Sequence, residues 1–275
     1  MLLAKNSPSK SRDFLFQVLL FISGAGALLY QVAWQRVLTQ TIGVDEIAIV
    51  FIVAIFMIGL GAGAFVGAKI TASKQARLLI IYVGLEVGTA LYGIISLWLV
   101  RYSNEMFTGL GLDNILLEFL LNSAVLFTPI FLMGTTTPIA IQLLKDSFDN
   151  LGRSISRFYG ANILGAASGA FCAFLLIELF ALHGLIGIAV TFNLIVGAGF
   201  YFLFNSLNTS REQKVGKEQI KIQPAPSSKP DEMRTSFLGA AQPNINLAVA
   251  AFCFGFVNLA IQIIAFRIFI TYSTP

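Results

Sequence analysis

The chain has 275 residues, 56% of them apolar and only 12% charged, where a soluble domain carries about 25% charged residues. That excludes an ordinary water-soluble globular protein. The net charge of +4 is no nucleic-acid signature either, because nearly all Lys and Arg sit in short breaks between apolar runs, where topology determinants belong.

The basic N-terminus "MLLAKNSPSKSRD" leads into an apolar run longer than a signal-peptide core, and no small-residue cleavage site follows it. This run therefore reads as a retained helix. Seven apolar spans are predicted, at 14–34, 47–68, 78–100, 115–143, 158–181, 185–204 and 245–270, long enough as helices to cross a bilayer core. In lipid they must be helices, because open strands leave edge amides unsatisfied. The fold class expected is thus an all-α, polytopic transmembrane bundle.

Within the first span, "FISGAGALLYQVAWQR" places Ser23, Gly24 and Gly26 where neighbouring helices can approach, with Trp34 and Arg36 as anchors at the outer interface. In the second, "GLGAGAFVG" (59–67) is Gly-rich but lies inside a span. With Gly63 and Gly67 four residues apart it predicts a helix-packing surface rather than a nucleotide-binding turn. The third span carries Glu86 some eight residues in, about 12 Å from its start at 1.5 Å per residue. The fourth is overlong and contains Pro129 and Pro138, the latter closing "MGTTTP" (133–138). In the fifth, Ala161, Gly165 and Gly169 form a small-residue ridge beside Asn162, and His183 falls in the turn before the sixth. Cys172 and Cys253 lie in apolar segments as core residues, and a single histidine argues against a zinc site; no metal or cofactor is expected.

Charge counting sets the orientation. Three basic residues precede the first span, three follow the second, three follow the fourth and six follow the sixth. Arg36, Arg101 and Arg267 fall on the other side. The N-terminus is therefore expected in the cytoplasm. Arg36, Arg101, Glu118 and Glu178 then share the outer level, either as a gated charged vestibule or as groups that pair at the interface and snorkel to water. Residues 205–244 are polar, basic and Pro/Ser-containing, and read as a flexible cytoplasmic linker.

The seventh span, "FCFGFVNLAIQIIAFR" (252–267), matches 21–36 at Phe, Gly, Leu, Gln and Arg with a constant offset of 231. Parallel repeats of this kind build several transporter folds. The organisation expected is a six-helix unit (1–204), the linker (205–244) and the first helix of a second repeat (245–275). Gln31, repeated as Gln262, reads as a structural hydrogen-bonding group common to both units more than as a ligand contact.

Four stretches carry a resemblance: "SGAGALLYQVAWQRVLTQTIG" (23–43), "FMIGLGAGAFVG" (56–67), "MGTTTPIAIQL" (133–143) and "FYGANILGAASGAFCAFLLIELFALHGL" (158–185). Together they resemble the membrane region of bacterial multi-pass spermidine synthase-like proteins, a transporter-like helical domain fused to an aminopropyltransferase domain. The resemblance implies a bacterial inner-membrane location and polyamine or a related organic cation as the ligand class. It also implies a synthase-like soluble domain or protein as a partner; the apolar spans themselves call for a lipid bilayer, and a homo-oligomer is a further partner weighed for the last helix. The family's soluble chemistry needs a strand, a Gly-rich turn and acidic residues on the cofactor, and no such site is visible in this chain. Enzymatic activity by this chain alone is therefore not expected.

Polar groups at membrane depth remain. An ionisable residue there costs about 2.5–3.5 kcal/mol on insertion scales and is a functional candidate by default. Glu86 reads either as part of a cation or proton pathway or as a structural hydrogen-bonding group. Thr135, Thr136 and Thr137 stand before the Pro138 break, and broken helices line binding sites in transporters. With Asn162 and Gln31 they complete the candidate substrate-binding set. Two functions follow from it: binding or transport of an organic cation, or a membrane anchor for a separate aminopropyltransferase.

Overall fold

A computed structural model describes residues 10–42, 45–73, 75–109, 115–144 and 151–218. The seventh span, its Gln262 and most of the linker lie outside the described residues. Contacts divide the chain into Met1–Thr209, which holds the bundle discussed below, and Ser210–Pro275.

The described elements are all helical: α1 (Lys10–Ile42), α2 (Asp45–Ile70), α3 (Gln75–Gly109), α4 (Ile115–Leu144) and α5 (Leu151–Glu218). Each contains a stretch long and apolar enough to cross a membrane. The stretch in α5, Ser156–Ser206, has 51 residues and would extend about 75 Å as one rod, more than twice the hydrocarbon core. It does not run as one rod. Ala181 breaks it with φ 55° and ψ −176°, a region costing a non-glycine residue about 1–3 kcal/mol. The first arm (151–180) and second arm (182–218) thus correspond to the fifth and sixth spans of the sequence. The second arm continues beyond position 204, because "REQKVGKE" is rich in good helix formers; its helix enters the stretch that reads as linker.

The chain runs up in α1, α3 and the first arm of α5, and down in α2, α4 and the second arm. Here "base" denotes the end where α1 begins, and "far end" the opposite one. Side-chain distribution follows the solvent expected. Large apolar residues such as Phe171 and Leu179 are 78% and 73% exposed, whereas the interior holds Trp34, Tyr30 and Leu38 with no exposure. Such an exposed apolar belt fits hydrocarbon and not water.

Small residues set the helix spacing. On α2, Gly59, Gly63 and Gly67 face Ile130, Phe131, Thr135 and Pro138 of α4, while Gly134 of α4 faces Leu60 in return. A methyl group at Gly134 would stand 2.7 Å from Leu60 Cα, inside van der Waals contact, so only glycine permits this approach. The Gly63/Gly67 surface does what its spacing predicts. The Asn162, Gly165 and Gly169 ridge likewise packs on the backbone of α1 at Gly24, Phe21 and Ala25. The opposite side of α1 meets the second arm, with Gly26 beside Asn193 and Gly199 beside Leu19. Helix α1 therefore lies between both arms of α5.

Helix α4 passes through Pro129 and Pro138 without a break in its helical span. Pro129 cannot donate to the carbonyl four residues back. That carbonyl, of Val125, instead accepts the Tyr92 hydroxyl of α3 at 2.7 Å. A neighbouring helix, not a threonine of α4, satisfies the group that the proline frees.

Candidate functional site: a buried carboxyl beside a small cavity

Helix α3 begins its apolar stretch with "LLIIYVGLEVGTALYG", which puts Tyr82 and Glu86 one turn apart on one face. That face turns inward: Tyr82 is 1% and Glu86 4% exposed. The Tyr82 hydroxyl donates a hydrogen bond to the Glu86 carboxylate. Packing fixes the pair from two sides. The Tyr82 ring lies 4.4 Å from the Phe200 ring of the second arm of α5, and Gly197 on the same arm faces the Glu86 Cβ. From α1, the Tyr30 hydroxyl lies within Coulombic range of Glu86. Tyr30 is wholly buried and its hydroxyl has no hydrogen-bond partner among the described residues. Among the described residues the groups interacting with the carboxylate are thus tyrosines and not cations.

Below Glu86, toward the base, a half-enclosed cavity of about 20 Å³ opens between α1, α3, α4 and the first arm of α5. Its polar lining is Ser23, Tyr82, Thr136, Thr137, Tyr159 and Asn162, and its apolar wall includes Leu20, Ala140, Ile141 and Leu144. Leu144 ends α4, so the cavity reaches the last turn of that helix. The volume suits one water molecule or little more. The Thr136 hydroxyl donates to its own helix at Met133 O, 2.7 Å away, which spends its proton and leaves its oxygen as an acceptor. Tyr82 belongs to both features, lining the cavity and bonding Glu86.

The far half is built differently. Tyr30 and Trp34 stack at 5.1 Å, and Trp34 meets Phe56 of α2 at 5.9 Å. The Trp34 indole N–H donates to Ser96 Oγ of α3 at 2.8 Å, and Ser96 in turn donates to Gly93 O at 2.7 Å. Gly93 is where Tyr30 presses on α3: a methyl there would meet its hydroxyl at 2.6 Å.

Of the residues singled out in the sequence, Thr136, Thr137 and Asn162 meet at the cavity, and Glu86 connects to it through Tyr82. Thr135 is buried, but it packs against Gly63 and Gly67 of α2 and donates to Phe131 O at 2.8 Å, so it belongs to the α2–α4 contact. Gln31 is half-buried and does not line the cavity. In the outer set, Arg36 is half-buried while Arg101 and Glu178 are exposed. No ion pair joins these three among the described residues, and the Glu118 side chain lies outside them. Trp34 requires a correction: it is no interface anchor, since its Ser96 partner and its aromatic neighbours hold it entirely inside the bundle. Tyr82 is the residue that sequence reasoning passed over. Its i, i+4 spacing to a membrane-depth carboxyl was the available signal.

Helices long and apolar enough to cross a bilayer, packed with their polar groups inward, make this a multi-pass helical membrane protein. Neither a family model, nor a curated protein, nor a solved structure matches the chain.

Proposed function

We propose that the bundle is a membrane domain that binds an organic cation of the polyamine class at Glu86, in a multi-pass spermidine synthase-like protein of the bacterial inner membrane. The observation that carries this reading is Tyr82, which joins a fully buried carboxyl to a small, mostly apolar cavity that Ser23, Thr136 and Asn162 also line. A carboxylate at membrane depth with no cationic partner among the described residues supplies the charge an ammonium ligand needs. Ser23, Thr136 and Asn162 supply oxygen acceptors for its N–H groups. The N-terminus faces the cytoplasm by the distribution of Lys and Arg, so the cavity opens on the cytoplasmic side. In this reading the chain's last span starts a second helical repeat.

The test is binding of labelled spermidine to the reconstituted full chain at fixed pH. The wild-type chain retains spermidine and Glu86→Gln, nearly isosteric and uncharged, loses most of it. Equal retention by a folded Glu86→Gln variant sinks the reading.

The cavity volume favours a second reading. Space for about one water molecule admits no polyamine unless the helices separate, and a membrane anchor for a separate aminopropyltransferase needs no cavity. Copurification of a soluble synthase-like protein, with no spermidine retained, would select the anchor.

A further inference from the structure

The polar groups below and above Glu86 differ in what they can pass on. Below it, Tyr82 hydrogen-bonds the carboxylate and also lines a cavity with room for about one water molecule. Above it, the Tyr30 hydroxyl is wholly buried and has no hydrogen-bond partner among the described residues. Beyond Tyr30 come the Trp34–Ser96 bond and the Trp34–Phe56 contact, with the buried side chains of Gln35 and Thr39 further along α1. The titratable groups facing Glu86 are Tyr82 on its own helix and Tyr30 on α1. The second arm of α5 brings Gly197 and Phe200 to this pair and carries the buried, uncharged Asn193 one turn from Gly197. The charged residues of α2 and α4 stand toward the helix ends, at Asp45, Glu46, Lys69 and Glu118.

We propose that Glu86 is a proton-exchange site with access from the base alone, fed through cavity water and the Tyr82 hydroxyl, and closed on the other side by Tyr30, Trp34 and Ser96. A proton arriving on cavity water is added to the Tyr82 oxygen as the proton already there passes to the Glu86 carboxylate. Tyr82 ends neutral, the water loses one proton and Glu86 gains one. Release runs the same steps backward. The inference rests on the reading of Glu86 as a carboxyl that exchanges ligands. It adds a proton as competitor of the organic cation: a protonated Glu86 offers no charge to an ammonium group, which makes proton release the natural partner of cation uptake.

The proton itself is the probe, so this test stands apart from spermidine binding. The full chain is reconstituted in liposomes, and infrared difference spectra follow the carboxyl C=O band after a pH jump. The expected result is a band that rises on acidification and is missing in Glu86→Gln. Tyr82→Phe should keep the band but approach equilibrium at least roughly tenfold more slowly, while Tyr30→Phe keeps both band and rate. Helical circular dichroism confirms that each variant is folded. A band unchanged in Glu86→Gln overturns the exchange site. A Tyr82→Phe rate equal to wild type overturns the route, and a Tyr30→Phe rate slowed as much as Tyr82→Phe overturns its one-sidedness. Spermidine retention with no titrating band would leave the cation-binding reading standing and this one refuted.

Discussion

The base half and the far half of the bundle share helix α1 and much of α3, yet they are packed on opposite plans. In the base half, Ser23, Tyr82, Thr136, Thr137 and Asn162 surround a water-sized space. In the far half, Tyr30, Trp34 and Phe56 pack ring against ring, and the Trp34–Ser96 hydrogen bond between α1 and α3 holds the indole in place. Glu86 stands at the boundary. The difference teaches that a membrane bundle's access route is written in side-chain size and polarity along helices whose backbones run through both halves. Polar groups lining space can hydrate and exchange partners, whereas aromatic rings in contact exclude water.

The largest way to break this contrast is Trp34→Ala. Removing a fully buried indole leaves a cavity in the far half and should cost about 3–5 kcal/mol, read as unfolding of the detergent-solubilised protein in a denaturing-detergent titration. Thr137→Ala, in the half that already has space, should stay within about 0.5 kcal/mol. Equal losses would mean that the halves are packed alike. Next, Gly165→Leu forces a side chain into the backbone of α1 at Phe21 and should cost about 1–3 kcal/mol by overpacking. Gly61→Leu, where nothing lies within 4 Å, should be silent in the same titration. The smallest effect sharpens the account of α4. Tyr92→Phe removes the donor to the Val125 carbonyl beside Pro129 and should cost about 1 kcal/mol, with the bundle otherwise unchanged.

Much of the scaffold was legible in the sequence because it depends on periodicity and size. Hydrophobic length announced the spans. Steps of four small residues announced the α2–α4 and α1–α5 contacts, which Gly63, Gly67, Gly165 and Gly169 make as their spacing predicts. Glu86 was conspicuous because a carboxyl in a long apolar run is costly. Contacts between helices were not legible. Nothing local in "YQVAWQR" says that Trp34 turns toward Ser96, 62 residues away, rather than toward the membrane surface. Tyr82 looked like one more aromatic residue in a span until the helices placed it between a cavity and a carboxyl. Thr135, Thr136 and Thr137 form one sequence motif, but a helical turn points Thr135 at α2 and its neighbours at the cavity. The motif therefore divides between packing and the site.

One-sided proton access to Glu86 requires that water reach the cavity below it and not the aromatic half above it. Aqueous thiol labelling of single cysteines tests this most directly, in opened membrane vesicles and a background where Cys172 and Cys253 are replaced by serine. The account predicts that Thr137→Cys is modified readily by a membrane-impermeant reagent while Ala33→Cys, with no exposure beside Trp34, is not. Modification of Ala33→Cys with Thr137→Cys protected would contradict it.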